Sequence, residues 1–289
     1  MRVAPPSPNA LQVLTDVDDT IKSSGGVKLA NIPLGGVDSA FKRGVFYPGV
    51  ATFQLELAKA QNKRNPLRVA VLTARAKEFE FLLKIDESSK IAKKFKLVAQ
   101  RQEIDWGIGT VLYGSVQEWI NQDRKGWRKY QNFKLLHADA PSSRKYVFIG
   151  DNGASEQDFE AATKIIDAFP SAMRAVFLHA VSPDTQPAPL PKDEKYNGVP
   201  IIYFRTYAAA AVKATELGLL DRAALIRVLN AIESDLRGDR VNIAPGSKND
   251  LLLLDELRYA RSRMWLVPRG LREAWVEISR FPFYIKGPL

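Results

Sequence analysis

Short runs that are apolar on both faces alternate along this chain with stretches whose apolar residues recur every three to four positions. The first kind, rich in β-branched residues, predicts strands over 11–17 (LQVLTDV), 67–74 (LRVAVLTA), 96–100 (KLVAQ), 145–151 (KYVFIGD), 173–181 (MRAVFLHAV) and 199–205 (VPIIYFR). The second predicts helices over 51–61, 76–85, 156–169 and 208–236. A strand that is apolar on both faces must be covered on both, and interleaved helices supply that cover. The expected fold is therefore α/β, a Rossmann-like parallel sheet with helices on both faces. Ligands of such sheets bind just beyond the carboxyl ends of the strands, so each polar cluster is judged by whether it falls there.

The same pattern divides the chain. Residues 1–10 are Pro-rich and read as a flexible tail, and 11–236 carry the alternating strands and helices of one domain. The stretch RGDRVNIAPGSKND (237–250) reads as a linker, and 251–289 as a helical, aromatic C-terminal segment. No internal repeat is present. KSSGGVKLANIPLGGVDSAFKRGVFYPGV (22–50) is glycine-rich and too short for a large cap domain; it reads as a small flap over a site.

Composition narrows the chemistry. There is no cysteine among the 289 residues, which removes disulfides, thiolate nucleophiles and cysteine-bound zinc and fits a reducing, cytoplasmic setting. The only histidines, His137 and His179, are far apart in sequence, which argues against a histidine triad or multi-histidine metal site. Neither is assigned a functional role. No apolar run approaches the roughly 20 residues that span a bilayer, and the opening MRVAPPSPNA has no apolar core of a secretory signal. The net charge of +10 favours an anionic partner: a phosphorylated substrate, an acidic membrane surface or nucleic acid. Only the basicity points to nucleic acid, so it is not expected as a partner, and nothing in the sequence speaks to oligomeric state.

The candidate chemistry begins with LTDVDDTIKSSGG (14–26), which crowds three aspartates behind an apolar run. In extended geometry residues i and i+2 point the same way, so Asp16 and Asp18 can converge on one small volume. Two anions there are unfavourable unless one is protonated or a cation lies between them; Mg2+, which prefers oxygen ligands, satisfies the second condition. By itself the pattern is more often that of an Asx turn ending a strand. Other strand ends add weight. Thr73 follows the run VAVLTAR (69–75), where a hydroxyl can hydrogen-bond a phosphoryl oxygen or merely start a helix. Asp151 ends KYVFIGD, with Gly150 and Gly153 allowing a tight backbone path. Between them DRKGWRKYQNFKLL (123–136) offers lysines, in what is also the pattern of a solvated helix face.

With D-x-D-x-T at one strand end, a threonine at another, a lysine and then Gly-Asp, the chain resembles the haloacid dehalogenase superfamily of phosphoryl-transfer enzymes. More narrowly, DVDDTIKSS (16–24), VFYPGV (45–50), VLTAR (71–75) and FIGDNG (148–153) are similar to motifs of the actin-patch phosphatidate phosphatase family and its plant and protist relatives. The resemblance covers roughly residues 10–220, with FRTYAAAAVKATELGLL (204–220) similar to that family's closing strand and helix. It implies a Mg2+-dependent phosphatase. Asp16 would be the nucleophile and a metal ligand, and Asp18 the general acid and base, with its backbone carbonyl on the metal. Thr73 would hold a phosphoryl oxygen, and Asp151 would complete the metal shell. Lys129, which lies 22 residues before Asp151, is the choice for the neutralising lysine, with Lys125 and Lys134 as alternatives. The family's further aspartate, five residues after the first, falls here on Glu156; Asp158 is the preferred substitute as a metal ligand, with Glu156 the alternative.

Phosphatidate, hydrolysed to diacylglycerol, is the substrate the resemblance implies; a catalytically weak binding protein docking on acidic lipid is the alternative. Trp265, Trp275, Phe281, Phe283 and Tyr284, interspersed with arginines in 251–289, suit a peripheral membrane contact. Packing of that segment back onto the catalytic domain is the competing reading, favoured because apolar helix faces usually bury internally.

Overall fold

The computed structural model describes residues 10–26, 28–29, 32–33, 36–76, 85–114, 125–153, 157–182, 187, 189–237 and 246–263. Strand β1 (Leu11–Thr15) leads into a connection holding the two-residue pair β2 (Lys28–Leu29) and β3 (Ile32–Pro33), then helix α1 (Val50–Lys59) and strand β4 (Val69–Ala76). Helix α2 (Lys90–Gln100), β5 (Ile108–Gly114), α3 (Lys125–Ala138), β6 (Lys145–Asp151), α4 (Gln157–Ala168) and β7 (Met173–His179) follow in alternation. The described chain closes with β8 (Glu194–Tyr196), β9 (Val199–Phe204), α5 (Tyr207–Glu216), α6 (Arg222–Arg237) and α7 (Lys248–Arg263).

Seven strands form one sheet in the order β5-β4-β1-β6-β7-β9-β8, all neighbours parallel except the β8–β9 hairpin. Counting the parallel strands alone in chain order gives 3-2-1-4-5-6, the doubly wound Rossmann-like order, and the direction of winding reverses between β1 and β6. Side chains alternate between two cores, as the two-sided apolar runs require. Val13, Val147, Ile149, Ala175 and Phe177 face one, and Leu14, Tyr146, Phe148, Val176 and Leu178 the other. Helices α1, α2, α5, α6 and α7 contribute to the first core, while α3 and α4 pack over the second.

Several elements differ from expectation. Residues 96–100 are the last turns of α2, not a strand: Ile91, Phe95, Val98 and Ala99 share its buried face, and the Ser89 hydroxyl accepts from Ala92 N at 3.1 Å to cap it. The strand on that side is β5, whose half-exposed edge position and glycines hide it from a search for apolar runs. The expected helix over 208–236 is two, α5 and α6, broken at Gly218, which adopts φ +70°. Most of the helix expected over 76–85 lies outside the described residues, as do residues 1–9 and 264–289 with their five aromatics. Helix α7 occupies the start of the expected C-terminal segment and buries Leu253, Leu257 and Ala260 against α5 and α6. No helix among the described residues is long and apolar enough to cross a membrane.

Candidate metal and phosphoryl site

The reversal point of the sheet is where the acids collect. Asp16 is the first residue past β1, and its N–H still bonds Ile149 O of β6 at 2.9 Å, so its position is set by the sheet. From beneath, Gln54 of α1 donates to the Thr15 hydroxyl at 3.1 Å, which donates in turn to Asp16 O at 2.9 Å. The chain then turns tightly, with Ile21 N and Lys22 N both bonding Val17 O, and returns Asp18, half-buried, to the same rim. Asp151 ends the neighbouring strand β6; its carboxylate accepts from Gly153 N at 2.7 Å. Asp158 enters from the first turn of α4 and accepts the Asp151 N–H at 3.0 Å. That approach needs Gly150, where a Cβ would meet Asp158 Oδ2 at 2.3 Å.

Lys129 reaches in from α3. Its Nζ lies 3.0 Å from Asp16 Oδ1 and donates a short bond to Asp158 Oδ1, and all three side chains are at least 93% buried. Of the lysines weighed from sequence whose side chains are described, Lys129 is the one on the acids. Lys134 is exposed and lies over the Tyr130 ring at 5.2 Å, and the Lys125 side chain lies outside the described residues. Asp158 joins Asp16 and Asp151 in the cluster; Glu156, the alternative, lies outside the described residues. Thr73 is buried on β4, two residues beyond the partner of Thr15, and so stands level with the turn after β1.

Among the described residues Asp16, Asp151 and Asp158 form a group whose carboxylate oxygens all lie within 4.8 Å of one another. Among the described residues one ammonium, that of Lys129, faces them. Burial pushes Asp16 up to about 7, against the pull of Lys129 and with the push of Asp158 and Asp18. Burial likewise raises Asp151 well above the ordinary carboxylate range, helped by Asp158, Asp19 and Asp16. Burial works to lower the Lys129 pKa, but Asp158, Asp16 and Asp151 outweigh it and the ammonium is held more firmly than in water. Counted over the described residues, the cluster is thus short of positive charge. An all-oxygen donor set suits a hard divalent cation, and two ligands of an ion with ~2.1 Å bonds sit at most about 4.2 Å apart, so a small closure suffices. This buried triad could hold a metal ion.

An acid whose folded pKa lies above its unfolded value keeps an extra proton in the native state between the two. The stability this confers is full below about pH 4 and is lost as pH rises through about 7. A divalent ion binds the ionised form, so the rise in melting temperature on adding Mg2+ should be larger at pH 7.5 than at pH 5, and the pH dependence should shrink in Asp16→Asn. Thermal melts with and without Mg2+ check this; an equal rise at both pH values would refute it.

Gln54 and His179 stand at the site without any sequence motif. Asp19, Ser24, Gln54 and His179 are all buried around the turn after β1. The His179 ring spans two carbonyls, Nδ1 2.7 Å from Asp19 O and Nε2 2.9 Å from Arg205 O, so this histidine ties the turn to the end of β9. The Thr20 hydroxyl is buried with no hydrogen-bond partner among the described residues, while its backbone oxygen accepts from Tyr207 at 2.7 Å. Comparison of the chain with protein-family models, curated proteins and solved structures finds no match.

Proposed function

We propose that this chain is a Mg2+-dependent phosphatase of the haloacid dehalogenase type, hydrolysing a phosphate monoester through an aspartyl-phosphate on Asp16, with phosphatidate as the leading substrate. The observation that carries the reading is the buried Asp16–Lys129–Asp158 chain beside Asp151 at the reversal point of a doubly wound sheet. A strand-end carboxylate held against an ammonium is what in-line transfer to a nucleophile requires, because phosphoryl transfer is served mainly by positioning and charge neutralisation.

The steps assign each residue a task. An Asp16 oxygen attacks phosphorus as the bond to the leaving oxygen breaks, and Asp18, half-buried at the rim, gives its proton to the departing alkoxide. Asp18, now ionised, takes a proton from water, whose oxygen attacks the same phosphorus; the Asp16–phosphorus bond breaks and inorganic phosphate leaves. Lys129 balances the charge that gathers on Asp16 and the phosphoryl oxygens, and Thr73 is assigned to one of those oxygens. Asp16, Asp151 and Asp158, with the Asp18 carbonyl, are the residues that would hold Mg2+, which when bound supplies charge stabilisation to the transferring group.

The alternative, a catalytically weak lipid-binding protein, drew on the altered last motif, with Glu156 where the family has an aspartate; Asp158 beside Asp16 and Asp151 weighs against it. The test is phosphate release from a soluble aryl phosphate, from phosphatidate in mixed micelles, from sugar phosphates and from phosphorylated oligonucleotides. Release that requires Mg2+ and stops with a chelator is expected, fastest with phosphatidate. No release from any substrate would overturn the proposal, and preference for an oligonucleotide would overturn the lipid assignment.

A further inference from the structure

The third aspartate of the crowded trio, Asp19, is fully buried yet belongs neither to the metal group nor to the lysine pair. Its carboxylate collects four donors. Ser24 N bonds Oδ1 at 2.7 Å, while Ser24 Oγ (3.1 Å), Val37 N (2.5 Å) and Asp38 N (2.8 Å) converge on Oδ2. Charge-assisted bonds to two consecutive backbone amides are strong and directional. They join segments 18 and 19 residues apart in sequence.

What they hold lies over the site. A Cβ on Gly153 would sit 3.7 Å from Val37 Cγ2, so Val37 covers the turn that carries Asp151. Beyond it Ser39 N bonds Ser182 O at 3.2 Å, and the Asp38 carboxylate accepts from Ala40 N at 3.0 Å and Tyr47 OH at 2.6 Å. Segment 36–39 is thus fastened at both ends across the carboxyl edge of the sheet. Two features are arranged around the fastening. Asp19 takes up φ +60°, a left-handed conformation that is uncommon outside glycine, and Gly36 passes so close that a Cβ there would meet Asp19 Oδ2 at 2.1 Å.

We propose that Asp19 is a positioning residue: its carboxylate clasps the backbone of Val37 and Asp38 to the catalytic turn, making segment 36–39 a fixed wall of the Asp16 site. It acts through that wall and neither binds the metal nor moves a proton. The kinetic part of this inference rests on the phosphatase reading; the structural part does not.

Two variants loosen the clasp from opposite sides. Asp19→Asn keeps the side-chain size and tolerates φ +60°, but exchanges one acceptor oxygen for an NH2 that cannot accept. Gly36→Ala leaves Asp19 intact and displaces the segment through the new methyl. In both, the Val37 and Asp38 amides should exchange hydrogen about tenfold faster or more. For Gly36→Ala, which changes neither a ligand nor a charge, calorimetry should give a Mg2+ dissociation constant within about twofold of wild type. The kcat/KM for a soluble aryl phosphate should fall about tenfold or more, through misplacement of the wall. Unchanged exchange at Val37 and Asp38 would overturn the proposal, as would loss of Mg2+ affinity in Asp19→Asn equal to that in Asp16→Asn, which would make Asp19 a ligand. If wild type releases no phosphate, the function proposed above fails while exchange and Mg2+ binding still decide the clasp. Gly36→Ala carries the test should Asp19→Asn not fold.

Discussion

Asp16→Asn is expected to lower Mg2+-dependent phosphate release by at least about 10³-fold while leaving the metal-free protein no less stable. The amide has the size of the carboxylate and can still meet Lys129, but it cannot form an acyl phosphate. Stability should hold because the native carboxylate is poorly placed without a metal: burial opposes its charge, and Asp158 and Asp18 repel it. Removing that charge relieves the cluster, and Lys129 keeps Asp158 as a partner. A large loss of rate with an unchanged or raised melting temperature at pH 7.5 separates a chemical role from a structural one. Phosphate-release assays and thermal melts of the two proteins check this. A variant retaining more than about a tenth of the wild-type rate would rule out Asp16 as nucleophile.

What the sequence disclosed follows the range of the interactions involved. Strands β1, β4, β6, β7 and β9 are legible because their two-sided burial writes β-branched and aromatic residues at consecutive positions, and the acids past β1 and at the end of β6 stand out against those runs. Edge strand β5, with Gly109 and half-exposed neighbours, carries no such run, while Leu97–Val98–Ala99 mimics one inside a helix. The site was legible at its strand ends, where two of the three gathered aspartates stand. It was less so on its helices. Lys129 differs from Lys134 only in which face of α3 meets α4 and the sheet, a matter of packing. Asp158 reaches the Asp151 amide from the first turn of α4, a placement that sequence spacing alone does not give. The clasp on Asp19 and the Gln54–Thr15 brace join residues 18 to 39 positions apart, with no periodicity to reveal them.

Lys129→Met should be the most destabilising single change at the site. Both carboxylates it bridges are buried, and breaking a buried ion pair from one side costs about 3–5 kcal/mol, because the partner charge is left without compensation. The loss depends on pH in a fixed direction. Without the ammonium, Asp16 and Asp151, already raised by burial, rise further and hold their protons to higher pH. At pH 5 protonation therefore spares the variant most of the penalty, while at pH 7.5 and above ionisation exposes it, so the gap in melting temperature from wild type should widen as pH rises. Mg2+ should close part of that gap, stabilising the variant more than wild type, since it then supplies the positive charge Lys129 no longer does. Activity should fall about 10²–10³-fold even when saturated with metal, as a removed electrostatic donor typically dictates. Lys134→Met, five residues along the same helix but solvent-exposed, is the control and should change stability by less than about 0.5 kcal/mol. Equal melting curves for Lys129→Met and Lys134→Met at pH 7.5 would mean that the buried lysine does not hold the acids together.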